Sequence, residues 1–268
     1  PNEKNNWVIG INALGDEFKK LSTTSSFLTN FKNNTVGSFV QATYNLPMQS
    51  TIEAGIRYDN HNQYGNFILP RVALFKRFDE HWAIRAGVGA GYKTPNALMV
   101  QNTDFSIEKI HPLPINIKAE KSMGYNAEIN YKINWDGNEL FINQAFFLTK
   151  INSPVIANIS STQEVTFSNA NNSIITKGLD TYIKLKLDDW EIYSGYTFTI
   201  AERKYLSQNQ FVPLTPKNRF AFTLVNEIEG KWRFGLEGSY TGKQFRDDYT
   251  QTKGYFFAAA MSNGCNGR

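Results

Sequence analysis

The chain has 268 residues, of which 41% are hydrophobic, 14% aromatic and only 19% charged, a balance that excludes a disordered chain, which is poor in aromatics and rich in charge. No run of about 18 apolar residues is present to cross a membrane as a helix. The formal charge of +4 is small and scattered, so no basic face for nucleic acid forms, and the single cysteine, Cys265, excludes an internal disulfide framework or a zinc ribbon.

In chain order, the start Pro1-Asn2-Glu3-Lys4-Asn5-Asn6 lacks the charged beginning and apolar core of a secretory leader, and the chain reads as a fragment. From there the dominant pattern is alternation with a period of two, as in strands with one apolar and one polar face. Strands are expected at 7–14, 35–46 and 48–58; in the last, Ile52, Ala54, Ile56 and Tyr58 alternate with Glu53, Gly55, Arg57 and Asp59. Next come 68–78, blurred by Arg71 and Lys76, and 82–93, where Trp82, Ile84, Ala86, Val88, Ala90 and Tyr92 oppose Ala83, Arg85, Gly87, Gly89, Gly91 and Lys93. The segment 121–133 sets Tyr125, Ala127, Ile129, Tyr131 and Ile133 against Asn126, Glu128, Asn130 and Lys132, and 139–149 carries Phe on both faces. Strands at 176–187, 190–200, 218–228, 232–242 and 254–260 complete a set of about twelve. The last residues, 262–268, read as an irregular tail behind a barrel domain spanning 1–261.

The connections sort by length. Leu46-Pro47-Met48, Asp79-Glu80-His81, 134–138, Asp188-Asp189 and Glu229-Gly230-Lys231 are tight turns of turn-forming residues. Between them lie long polar loops at 15–34, 59–67, 94–120, 150–175, 201–217 and 243–253. Strands of ten or eleven residues at roughly 3.3 Å each, tilted near 45°, span about 25 Å, the apolar thickness of an outer membrane. Alternation alone leaves open whether the apolar face meets lipid or a protein core. Strand length and loop sorting favour lipid, and the fold expected is an all-β antiparallel transmembrane barrel.

Specific residues then bring a family into view. Gly55-Ile56-Arg57-Tyr58-Asp59, Leu69-Pro70-Arg71-Val72-Ala73-Leu74 and the run from Ile84 through Gly91-Tyr92-Lys93-Thr94-Pro95-Asn96 resemble the barrel of TonB-dependent outer-membrane receptors. Lys118-Ala119-Glu120-Lys121-Ser122 looks like that family's re-entry from loop to strand, and Phe146-Phe147-Leu148-Thr149-Lys150-Ile151 like its aromatic strand. Pro213-Leu214-Thr215-Pro216-Lys217-Asn218-Arg219 and Tyr240-Thr241-Gly242-Lys243-Gln244 are similar to its last third, as in Bacteroidetes-like members. The resemblance implies a plug domain inside a twenty-two-stranded barrel, of which this chain is the C-terminal portion. It also implies import of a large scarce nutrient across the outer membrane of a Gram-negative bacterium. A ferric siderophore or similar metal chelate is favoured over haem, cobalamin or an oligosaccharide. Energy would come from the TonB complex through the missing N-terminal part, and the partners implied are outer-membrane lipid, the chelate and a surface lipoprotein. No cofactor and no enzymatic step are implied.

Candidate residues follow from position. Glu53, Arg57, Arg85, Lys93, Glu128, Lys132, Arg233 and Glu237 occupy the polar face and are expected to line the lumen, because Arg or Lys on the lipid face costs about 2–4 kcal/mol near the midplane. Loop aromatics Tyr64, Phe67, Phe105, Tyr205, Phe211, Phe245 and Tyr249, with His111, are the expected ligand contacts; flat rings offer large contact area at little entropic cost. Trp7, Trp82, Trp135, Trp190 and Trp232 lie at strand ends and read as interfacial anchors. His81 reads as a solvated turn residue; His61 and His111 lack ligand-like spacing, so no metal site is expected. The glycines at 87, 89 and 91 precede no helix and read as a smooth inner wall, not a phosphate loop. Two other classes stay open from the residues alone: a free-standing outer-membrane pore or enzyme, and a soluble carbohydrate-binding β-protein.

Overall fold

Turn chemistry sets the topology. The computed structural model describes residues 5–19, 30–96, 109–208, 210–228, 230–246 and 248–264. At one end of the sheet, Met48 and Gln49 (φ 58° and 54°), Asp136 and Gly137 (44° and 84°), Asp188 (49°) and Gly230 (72°) adopt the left-handed conformations that tight hairpins require. The turn at 79–81 is held differently: Asp79 Oδ1 accepts the backbone N–H groups of His81 at 2.8 Å and Trp82 at 2.7 Å.

The turns connect β1 (Asn5–Phe18), β2 (Phe31–Leu46), β3 (Ser50–His61), β4 (Gly65–Arg77), β5 (Trp82–Lys93), β7 (Glu120–Trp135) and β8 (Asn138–Asn152). The series continues with β11 (Ile174–Leu187), β12 (Trp190–Arg203), β13 (Asn218–Ile228), β14 (Trp232–Thr241) and β15 (Tyr255–Gly264). These form one 12-stranded antiparallel sheet in chain order, as expected. Short β6 (Lys109–Ile110), β9 (Val155–Ile159) and β10 (Glu164–Asn169) form a separate three-stranded sheet in the connections at the opposite end.

Register aligns the two faces across the sheet. One row runs Val88–Val72–Ala54–Ala42–Trp7, another Ile84–Ile129–Gln144–Thr181–Tyr196–Phe220–Tyr240–Phe256. Ile56, Val72, Val88, Tyr125, Phe146 and Phe220 on this face are all exposed. The two polar members of the second row satisfy each other, Thr181 Oγ1 donating to Gln144 Oε1 at 2.6 Å. All five tryptophans stand on the same face at the tight-turn end, Trp82, Trp190 and Trp232 opening their strands and Trp135 closing its own.

Three expectations are corrected. The loop expected at 59–67 is a three-residue hairpin, because β3 and β4 stay paired through Asp59↔Phe67 and His61↔Gly65; the polar run there is strand rather than loop. The expected tail begins three residues too early, since Ser262–Gly264 pair with Phe234–Trp232, the backbone ladder continuing regardless of side-chain polarity. Tyr92 leaves the apolar set: its ring stacks on Phe67 at 3.7 Å and its hydroxyl donates to Asp59 Oδ2 at 2.9 Å. The β4–β5 ladder ends just below, at Arg71↔Gly89, with Pro70, which has no N–H to donate, at the next position.

Candidate functional site

The polar face is a lattice of opposite charges. Arg57 Nε donates to Asp59 at 2.7 Å, Arg71 lies 3.6 Å from Glu53, Arg85 3.5 Å from Glu128, and Arg233 3.4 Å from Glu227. Glu139 holds Lys132 at 2.7 Å and Lys184 at 2.9 Å. Lys93 stands opposite Glu120, and Glu237 lies in the row Lys132–Phe141–Lys184–Tyr193–Thr223–Glu237. The eight charged residues picked from the sequence therefore share one face. Sequence reasoning missed Asp59, which is 1% exposed and joins Arg57 to Tyr92; its i, i+2 spacing from Arg57 was the available signal. It also missed that Phe141 and Tyr182, 6.2 Å apart, sit on this polar side.

The long connections gather at the end opposite the tryptophans, and the loop residues picked from the sequence separate there into two groups. The first surrounds a small core of Ile117, Val165 and Phe167, with Tyr64, Ile110, Leu113 and Val155 packed on it. Tyr64 donates its hydroxyl to Pro95 O at 3.3 Å, and burial raises its pKa. Phe67 is 4% exposed beneath Tyr92. His111 Nε2 lies 2.8 Å from Glu164 Oε2, a contact that holds the Glu164 carboxyl below its ordinary pKa. Asn169 ties three loop segments together: its amide donates to Lys118 O (2.9 Å) and Ser153 O (2.8 Å), and its Oδ1 accepts from Lys118 N (2.7 Å). Phe105 lies outside the described residues.

The second group forms around the β12–β13 and β14–β15 connections. Phe211 and Phe245 stack at 5.2 Å and 10°, and Lys217 Nζ stands 4.1 Å from the Phe211 centroid. The Arg203 guanidinium lies 5.9 Å from the ring of Tyr249 and donates to Phe211 O at 3.1 Å. Burial raises the pKa of Tyr205, with Arg203 opposing it. Two cavities of about 340 and 310 Å³ share the Phe211–Phe245 pair; the larger adds Lys217, Lys243 and Gln244, the smaller Glu202, Gln210 and Tyr249. Stacked rings flanked by ammonium and guanidinium groups suit a flat, anionic ligand. Sequence reasoning found the rings and missed Arg203, Lys217 and Lys243, although Lys217 and Lys243 both lie in segments quoted above for the family resemblance.

Comparison with known proteins places this architecture. The fold is similar to the ferric enterobactin receptor PfeA of Pseudomonas aeruginosa, crystallised with BCV-L6 (TM-score 0.81, 15% identity, 98% of this chain and 44% of that one). It is similar also to the siderophore receptor PirA of Acinetobacter baumannii (0.77, 13%, 96% and 45%). The FrpB iron transporter of Neisseria meningitidis gives 0.76 at 16% identity, covering 98% and 46%. The chain thus spans less than half the length of these structures. No curated protein sequence matches it. The family model described as TonB dependent receptor-like, beta-barrel, matches residues 4–262, and the chain belongs to that family.

Proposed function

We propose that this chain is barrel wall and extracellular mouth of an outer-membrane receptor that binds and imports a ferric siderophore or similar metal chelate, energised through TonB by parts of the receptor outside this chain. The observation that carries the ligand reading is the Phe211–Phe245 stack with Lys217 4.1 Å from its ring, at the end where the long connections gather. Ferric chelates of aromatic, oxygen-rich ligands are anions that present flat rings around an octahedral iron, and such a site offers those rings aromatic surface and positive charge together. The exposed apolar face, bounded at one end by tryptophans, supports a lipid-facing wall in the outer membrane of a Gram-negative cell. The charged face is then the lumen lining, where paired ions are solvated or meet other protein. A surface lipoprotein fits as a further partner at the loops. No reaction step belongs to this reading.

The test is binding of ferric enterobactin to the purified full-length receptor, followed by quenching of intrinsic fluorescence, alongside TonB-dependent uptake of radiolabelled iron. Lys217→Ala is expected to weaken binding about five-fold, the worth of one exposed cation–π or ion contact of roughly 1 kcal/mol. A receptor that ignores ferric chelates and takes up an uncharged oligosaccharide would overturn the ligand reading.

A further inference from the structure

Charged residues interrupt the apolar face towards its ends, Lys76 and Lys121 among them by register, and one pair of lysines stands side by side. Lys150 on β8 and Lys177 on β11 project from this face, by register, and both are exposed. Lys177 stands opposite Leu148 and Ile200, and Lys150 opposite Met123 and Ile175, so each ammonium rises from apolar neighbours. The two are diagonal neighbours across one ladder, where like charges repel. The carboxylate in reach along the row, Glu202 opposite Ile175, is held by Lys204 at 2.7 Å. Lysines of the other face behave differently: Lys132 and Lys184 share Glu139, whereas Lys150 and Lys177 form no ion pair among the described residues.

Height says where they sit. From Asn138 at the tight turn to Lys150, roughly 3.3 Å of rise per residue at 45° tilt climbs about 28 Å, and Lys177, level with Leu148, reaches about 23 Å. The apolar band is about 25 Å tall, so both ammonium groups stand at its outer rim, where headgroups begin. We infer that Lys150 and Lys177 form a clamp for the phosphate of an outer-leaflet lipid, whose acyl chains run from Leu148, beside Lys177, down along Phe146 and Leu179. A phosphate between the two lysines turns their repulsion into two attractions, and the strip beneath it matches hydrocarbon, which a free anion has no use for. The clamp rests on the lipid-facing assignment of this face.

The experiment uses full-length receptor in detergent and native mass spectrometry with three probes: phosphorylated lipid A, the same lipid after phosphatase treatment, and inorganic phosphate. The parent is expected to retain the phosphorylated lipid in preference, and Lys150→Ala/Lys177→Ala to lose about twenty-five-fold in that preference, from about five-fold per lysine at a membrane surface. Unchanged melting of the lipid-free double variant, with Lys150→Arg/Lys177→Arg restoring retention, separates the clamp from a folding effect. Equal retention of both lipids by the parent overturns the proposal, as does a double variant that binds like the parent. Displacement of the lipid by inorganic phosphate at equal concentration makes the site a free-anion site and overturns it too. Phe146→Arg tests the underlying face separately: if it assembles normally, the lipid-facing assignment fails, whatever the lysines do.

Discussion

The wall and the loop end of this protein bury their side chains in opposite ways. The 12-stranded sheet carries most of the backbone pairing, yet among the described residues its buried apolar side chains are Ala42, Phe67 and Ala201, the last two towards the loop end, while aromatic and branched side chains stand exposed on one face. At the loop end, Val165 at 0% exposure, Phe167 and Ile117 form a compact core with a three-stranded sheet whose strands have two, five and six residues. A water-soluble protein concentrates burial in its main sheet. Here the wall leaves its apolar face uncovered, and the loop end builds a core of its own.

That contrast can be broken at several points, beginning with the loop core. Phe167→Ala should cost about 3–5 kcal/mol locally. The expected result is loss of hydrogen-exchange protection over 155–169 with the wall still protected; collapse of both together would mean the two regions are one cooperative unit. On the wall, Val88→Arg should cost about 2–4 kcal/mol at a lipid-facing midplane position and prevent assembly, read as loss of the heat-modifiable band on a semi-native gel. Gly89→Arg points to the charged face, where a Cβ meets the Arg71 side chain at 3.6 Å and Pro70 O at 3.8 Å, both ordinary contacts, and should assemble. Equal tolerance would dissolve the distinction between the faces.

Smaller effects sharpen the loop end. Asn169→Ala removes three hydrogen bonds joining 118, 153 and 169 and should cost about 1–3 kcal/mol, read as faster proteolysis within the β8–β11 connection; an unchanged cleavage rate would show that the core alone fixes these loops. The smallest effect is the pH dependence of the His111–Glu164 contact. Because the folded-state pKa of Glu164 is depressed, its contribution is complete above the ordinary Glu value of 4.5 and is lost as pH falls through the lower folded value. Exchange of the β6–β10 amides, corrected for intrinsic rate, should therefore rise in that acid window, and Glu164→Gln should flatten the response.

Much of the wall was legible because a sheet with one apolar and one polar face obeys a simple rule. Each strand of the wall must alternate, and four of the five hairpins at the tight-turn end use residues at positive φ, so Asp136-Gly137 and Asp188 announce themselves. The loop end obeys no such rule. The polar run at 59–62 reads as loop, yet Asp59 and His61 pair as strand, because a backbone ladder continues through any side chain that finds a partner. Strands β9 and β10 were also hidden, although Val165 and Phe167 alternate with Thr166 and Ser168 and offered a signal. The rings at 211, 245 and 249 were found as types, but their convergence around Arg203 joins two connections far apart in the chain.

By itself the sequence determined the all-β class, the two faces of the strands and the end where the long connections lie, because alternation and turn chemistry are local. Tertiary structure decided which charges pair, which loop rings meet, that Asp59 and Phe67 lie beneath Tyr92, and that Lys150 and Lys177 become neighbours. Those outcomes depend on register between strands, and a register is a relation between segments that neither segment encodes alone.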